Sequence, residues 1–286
     1  MWAEMNNSDI QILLTNDDGI QSPGLWAAAE ALSCLGYVTV AAPRDQWSGA
    51  GRSHPNHTDG SITLQTLNVH GVDWTVYAVN GTPAQNVAHG VLEICPRKPD
   101  LVVSGINYGE NVGSGTTISG TVGAALEGAG FGIPSMAVSL QTLESYNLSY
   151  SRDIDFTSSK YFVTLFAELL LRHRMPQDVD VLKIEIPDNA TVSTPWRVTR
   201  VGMNTYYHAS LPRRKSWDEP NRMQYTIQFE AKDLDPQSDV HALRVERVVS
   251  VTPLTLDMTS RTSLEDLDDF LHSNARNDQS GCEPEK

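Results

Sequence analysis

Apolar positions along this chain fall either into short unbroken runs or into longer stretches where they recur at helical spacing. Ile12-Leu13-Leu14-Thr15 is a run of the first kind, and it stops abruptly on Asn16-Asp17-Asp18-Gly19. That pattern predicts a buried strand followed by a tight turn. Ser22 to Leu32 has helical spacing, with Ser22 as the predicted N-cap, Pro23 at the first helical position and Gly36 as the stop. Tyr37 to Ala42 reads as a second strand that ends at Pro43 and enters the polar loop Arg44 to Gly49. Strands are expected at 61–67 and 74–79, then a helix opened by Thr82-Pro83 that runs to about Ile94. The next strand, 100–105, breaks into the glycine- and asparagine-rich stretch from Gly105 to Gly115, and Ser119-Gly120-Thr121 opens a helix of small residues that reaches Gly128. A strand at 135–140, an apolar helix at 158–172 and a strand at 179–186 complete the alternation. Alternating strands and helices predict a mostly parallel sheet with helices on both faces, a three-layer Rossmann-like α/β fold.

The texture changes at about Thr194. Trp196 to Arg200 and Met223 to Phe229 alternate apolar and polar residues as antiparallel hairpins do. The expected organisation is an α/β core over 1–193 and β-hairpin arms with a C-terminal strand and helix over 194–272. A polar tail expected to be disordered follows at 273–286. The last strand is placed at 244–252, and the last helix at 263–271, with capping-box spacing between Ser263 and Asp266.

Composition narrows the function. The 286 residues carry 21 Lys and Arg against 35 Asp and Glu, a formal charge of -14. Long nucleic acids are therefore disfavoured as partners, and any phosphate site needs a local source of positive potential. No apolar run reaches the roughly 18 residues of a membrane span, and the N-terminus lacks the basic and apolar regions of a signal peptide. Three widely spaced cysteines, Cys34, Cys95 and Cys282, suit neither a disulfide framework nor a zinc site. They read as reduced thiols in a cytoplasmic protein, with Cys34 and Cys95 expected in packed elements. No G-x-x-x-x-G-K-[ST] occurs, and Gly109, Gly113 and Gly115 do not keep dinucleotide-fingerprint spacing.

Three sequence breaks fall at the carboxyl ends of predicted parallel strands, at Asp17-Asp18-Gly19, at Ser48-Gly49 and at Asn107. In a parallel sheet these ends share one edge, where open α/β sheets bind ligands. Asp17, Asp18, Ser48 and Asn107 make an all-oxygen set suited to Mg²⁺ or Mn²⁺. The helix opening at Ser119, Gly120 and Thr121 aims backbone N–H groups at the same crevice, as a phosphate requires. Each part has a plainer reading: Asp-Asp-Gly and Ser48 as turn residues, Asn107 as a left-handed asparagine, Ser119 as an N-cap. His54 and His57, in the loop after Ser48, read as solvated side chains.

The motifs Ile12 to Gly19, Pro43 to Gly49, Pro99 to Gly109, Ile118 to Gly128 and Val249 to Leu254 occur in one order over most of the chain. Together they resemble the SurE family of nucleotidases. The resemblance implies a divalent-metal-dependent phosphatase, with one cation per subunit, acting on nucleoside 5′-monophosphates and often on 3′-monophosphates. It carries Asp17 and Asp18 over as catalytic and metal-binding, Ser48 and Asn107 as further ligands, and Asn16, Ser119, Gly120 and Thr121 as phosphate-binding. It also implies homodimers or homotetramers built through C-terminal β arms, here within 197–252. Two departures stand out. The loop Gly49 to Gly60 is longer than usual and could alter substrate choice or serve as a lid, and Arg261 lies near where some relatives have a histidine. Two other classes remain open: a covalent aspartyl-phosphate mechanism through Asp17 or Asp18, and a nucleotide- or anion-binding module without turnover.

Overall fold

In the computed structural model, residues 9–275 are described apart from 70, 143–150, 152, 204, 212 and 222. The central strand is β1 (Gln11–Thr15), every residue of which is buried. Its side chains alternate between two cores. Ile12 and Leu14 pack with Leu25 and Ala28 of α1 (Pro23–Leu32) and with Phe162 and Phe166 of α4 (Thr157–Arg172). Leu13 packs the other way, with Val87 of α2 (Pro83–His89) and Ala124 of α3 (Gly120–Gly130). A strand buried on both faces has no polar side to show, which is why the parallel strands appear in the sequence as unbroken apolar runs.

The remaining strands are β2 (Tyr37–Pro43), β3 (Ile62–Val69), β4 (Val72–Val79), β5 (Leu101–Tyr108), β6 (Ser135–Leu140), β7 (Val181–Ile186), β8 (Trp196–Val198), β9 (Tyr207–Ser210), β10 (Gln224–Ile227) and β11 (Val249–Leu254). Eight of them join β1 in one sheet in the order β3-β4-β2-β1-β5-β6-β7-β11-β8. The β4, β2, β1, β5, β6 and β7 strands run parallel, while β3 and β11 join antiparallel to β4 and β7. The chain passes from β1 to β2 on one side and returns to β5 on the other. The carboxyl ends of β1 and β5 therefore flank a switch point of the sheet, the place where such folds form a ligand crevice.

Several local expectations are corrected. Ser22 occupies the N-cap of α1, but its hydroxyl makes no capping bond and has no partner among the described residues. Gly36 does not stop α1, which ends at Leu32; a Cβ there would lie 2.7 Å from the Ile10 carbonyl oxygen, so glycine allows close backbone approach. Cys34 is exposed and Cys95 half-buried. Asn107 lies inside β5, which continues past the expected break through a register shift between Ser104 and Asn107. Trp196 to Arg200 is no hairpin: β8 pairs parallel with β11 at the edge of the main sheet. The 244–252 segment starts as the end of a wide helical turn, Ala242–Glu246, after the short α5 (Asp239–His241), and turns to strand at Val249.

The expected hairpin at 223–229 does form, as β10 paired antiparallel with β9 in a separate two-stranded sheet. Residues from Asp257 onward make a second unit with α6 (Leu264–Ala275), where the Ser263 hydroxyl accepts the Asp266 N–H at 3.3 Å. Helix α6 takes in 273–275 of the expected tail, and 276–286 lie outside the described residues.

Candidate active site

Asp17 and Asp18 sit on the turn that leaves β1, 6% and 3% exposed. Asn16 braces that turn: its amide accepts the Gly19 N–H at 3.2 Å and donates to the Gly19 carbonyl at 3.0 Å. Both contacts hold this fully buried side chain in the turn beside Asp17.

Asp17 meets the start of α3. The Thr121 hydroxyl donates to Asp17 Oδ1 at 2.6 Å. Gly120 lies against the same carboxylate: a Cβ there would be 2.8 Å from Asp17 Cβ, 2.9 Å from Oδ2 and 3.1 Å from the Trp47 carbonyl oxygen. Only glycine lets the helix end approach this closely. Ser119 caps α3, its hydroxyl accepting the Val122 N–H at 3.1 Å. That leaves the earlier N–H groups and the positive end of the helix beside Asp17, an arrangement that favours anions.

Asp18 faces β5. Its Oδ2 accepts the Tyr108 N–H at 3.2 Å and its Oδ1 the Gln46 amide at 3.3 Å. Next to Tyr108, Asn107 donates its side-chain nitrogen to the carbonyls of Tyr108 and Gly109, at 3.3 and 2.7 Å. That orientation leaves Asn107 Oδ1 as an acceptor for a cation. Ser48 joins through backbone: Trp47 donates its N–H to the Asp17 carbonyl at 2.8 Å, and the exposed Ser48 follows it. Asp17, Gly120 and Thr121 are thus in direct contact, Asp18 and Asn107 meet through Tyr108, and Ser48 is one residue from the turn.

Burial raises the Asp17 carboxyl from an ordinary 3.8 to about 6, against the pull of its bonds to Thr121. Burial also raises Asp18 well above the carboxylate range, and the charge of Asp17 raises it further. Both shifts disfavour ionisation of the pair, and a bound cation would reverse that by stabilising the charged carboxylates. Among the described residues no three His, Cys, Asp or Glu side chains gather around a metal position. A cation here would rest on two carboxylates completed by neutral oxygens, a donor set that fits hard ions such as Mg²⁺ or Mn²⁺ and not zinc.

Other residues that shape the site were not singled out in the sequence. Asn111 donates to Ser139 Oγ at 3.0 Å and to Thr121 Oγ1 at 3.5 Å, and its backbone N–H reaches Glu185 at 2.9 Å. Lys183, fully buried, donates to the Asn111 carbonyl at 2.8 Å and to Asp239 at 2.9 Å, with Glu185 3.5 Å away. Asp239 in turn accepts the N–H groups of Gly113 and Gly202. A polar chain therefore runs from Asp17 through Thr121 and Asn111 to a buried ion cluster. Its signal in the sequence is the pair of alternating charges in the apolar strand Val-Leu-Lys-Ile-Glu-Ile. Gln46 and Trp47 looked like ordinary turn residues.

The loop after Ser48 is bonded to α2, to α3 and to the segment before α3. Gly51 donates its N–H to the Ile118 carbonyl at 3.0 Å, and Arg52 bonds Glu127 of α3 at 2.6 Å. Thr82 at the start of α2 donates its hydroxyl to the Ser53 carbonyl at 2.6 Å, and Gln85 donates to Pro55 at 3.1 Å. His54 is exposed, as expected of a solvated side chain, and comes within 3.4 Å of Glu127.

Comparison with known proteins agrees with this architecture. The family model described as Survival protein SurE matches residues 12–208. A protein of Methanosarcina acetivorans named 5′-nucleotidase SurE is 40% identical over 91% of this chain and 97% of its own length. One of the same name from Thermococcus gammatolerans is 38% identical over 92% and 96%. The crystal structure of the SurE protein from Aquifex aeolicus aligns with a TM-score of 0.72 at 31% identity, covering 91% of this chain and 99% of that one. The aspartate pair at the end of β1, the strand order around it and these matches place the chain in the Survival protein SurE family.

Proposed function

We propose that this protein is a divalent-metal-dependent phosphatase that hydrolyses nucleoside 5′-monophosphates, and 3′-monophosphates as well, to nucleoside and phosphate. The observation that carries the reading is the contact between Asp17 and the N-terminus of α3, which sets a cation-binding carboxylate beside an anion-binding helix end. The names of the relatives support nucleotides as the substrate class.

Asp17, Asp18, Ser48 and Asn107 would hold one Mg²⁺ or Mn²⁺ per subunit. When bound, such an ion polarises a phosphoryl oxygen and makes hydroxide available from water near neutral pH. The chain supplies position and charge. The first N–H groups of α3, at Gly120 and Thr121, bind phosphoryl oxygens, and the Thr121 hydroxyl fixes the Asp17 carboxylate through Oδ1. The Tyr108 N–H and the Gln46 amide fix Asp18. Donors held in place in this way stabilise charge as it builds up on the phosphoryl group, and removing one typically costs about 10²- to 10³-fold in rate.

The β9–β10 hairpin is the element we assign to self-association into a homodimer or homotetramer. It and the turn between its strands expose Leu211 and Trp217, about nine-tenths accessible, together with Met223 and Tyr225. Exposed apolar groups of this density mark contact surfaces. No helix among the described residues is long and apolar enough to cross a membrane. We place the protein in the cytoplasm, the compartment that three widely spaced cysteines suit.

The test is phosphate release from AMP with Mg²⁺, Mn²⁺ or EDTA, for the wild type beside Asp17→Asn. Release that needs the metal and is lost in the variant supports the reading. Metal binding without release would make the protein a nucleotide-binding module.

A further inference from the structure

Trp47 is tied into the site by its backbone on both sides: its N–H bonds the Asp17 carbonyl, and its carbonyl lies against Gly120. Its side chain has no such task. The indole is half-buried, and its ring lies beside that of His57, with centroids 6.4 Å apart and planes 33° from parallel. His57 is exposed on the same loop, where its neighbour Thr58 bonds Gln85 at 2.9 Å. Trp47 and the neighbouring His57 ring thus belong to the loop whose backbone meets Asp17 and Gly120, the residues proposed to hold cation and phosphate. At a net charge of -14 the chain offers little long-range attraction to an anionic nucleotide. Stacking needs no positive field and tolerates every base, because each has a π-face.

We propose that Trp47 and His57 form the surface on which the base of a nucleoside monophosphate stacks, which makes Trp47 a specificity-determining residue. The inference rests on the phosphatase reading of the same site. It predicts that the enzyme distinguishes a nucleotide from a phosphate ester of the same sugar, and prefers large purine rings to pyrimidines because they cover more of the indole.

The experiment compares AMP with ribose 5-phosphate, at saturating Mn²⁺, in the wild type, Trp47→Ala, Trp47→Phe and His57→Ala. Alanine replacement of a base-stacking aromatic costs about 5- to 150-fold in binding. The AMP to ribose 5-phosphate ratio of kcat/KM should fall by that factor in Trp47→Ala, mainly through KM for AMP. It should fall less in His57→Ala and stay near the wild-type ratio in Trp47→Phe. An unchanged ratio in Trp47→Ala overturns the proposal, whether or not overall activity drops, and leaves the phosphatase reading intact. If neither ester is hydrolysed by the wild type, the phosphatase reading fails, and stacking is read from binding alone. AMP should then quench more tryptophan fluorescence in the wild type than in Trp47→Phe while ribose 5-phosphate quenches neither, and equal quenching in the two proteins overturns it.

Discussion

Replacing Asp17 with asparagine should make the metal-free protein more stable while it destroys the site. In the folded chain burial lifts the Asp17 carboxyl from 3.8 to about 6. A carboxyl raised on folding binds its proton more tightly in the native state, so metal-free stability falls as pH rises between about 4 and 6 and stays low above that. At about 1.4 kcal/mol per pH unit, holding Asp17 ionised at pH 8 costs about 3 kcal/mol. Asparagine removes that charge and keeps an oxygen to accept the Thr121 hydroxyl. A side-chain nitrogen left without a partner returns about 1 kcal/mol or more of the gain. The net expectation for Asp17→Asn at pH 8 in EDTA is a gain of about 1–2 kcal/mol, or several degrees in Tm at about 2–4 °C per kcal/mol. The gain should fade as pH approaches 4, where the carboxyl is protonated in both states. Saturating Mn²⁺ should then raise the wild type by about 2.7 kcal/mol at a hundred times its Kd and leave Asp17→Asn nearly unmoved, so the gap between the two proteins closes or reverses. Thermal unfolding at pH 4.5 and 8, with EDTA or Mn²⁺, reads all four values. An Asp17→Asn protein less stable than wild type in EDTA at pH 8, or one stabilised equally by Mn²⁺, would refute the reasoning.

Gly120→Ala puts a Cβ within 3 Å of Asp17, which should cost about 1–3 kcal/mol and most of the phosphate release, as Tm and steady-state kinetics would show. Thr121→Val removes a hydrogen bond to a buried carboxylate, worth about 1.5–3 kcal/mol when that group is charged, and Mn²⁺ titration should show weaker binding, with Thr121→Ser restoring most of it. Lys183→Met leaves Glu185 and Asp239 buried without their cation, at about 3–5 kcal/mol. Burial already raises Glu185 to about 7, and loss of Lys183 raises it further, so this deficit should be smaller at pH 6 than at pH 8 in urea unfolding.

Much of the core was legible because its strands are buried on both faces. Ile12 to Thr15, Tyr37 to Ala42 and Ser135 to Leu140 appear as apolar runs bounded by turn residues, and α1 and α4 carry wide apolar faces between them. The C-terminal part was harder. Alternation at Trp196 to Arg200 has the same period whether the strand pairs antiparallel in an arm or parallel at a sheet edge, and only its partner β11 decides. Arg244 to Val248 leads straight into the valines of β11, yet Ala242–Glu246 closes as a helical turn packed under Tyr206 and Phe229, with the Arg244 guanidinium 5.6 and 5.4 Å from their ring centres. In the site, the carboxylate pair and the small-residue helix end could be read directly. The local contacts of Asn16 and Ser119, one bracing a turn and the other capping a helix, look in sequence like those of any turn asparagine or N-cap serine. The Lys183 cluster depends on contacts 56 residues apart in the chain, which no local pattern reports.

The most direct measurement is hydrolysis of AMP in ¹⁸O-labelled water by the wild-type protein, first in EDTA and then with Mn²⁺ added back. A metal-assisted attack by water at the Asp17–Asp18 site predicts no release in EDTA, and with Mn²⁺ one labelled oxygen in the phosphate and none in the adenosine. Release that persists undiminished in EDTA, or Mn²⁺ bound at this site with no phosphate released, would contradict it.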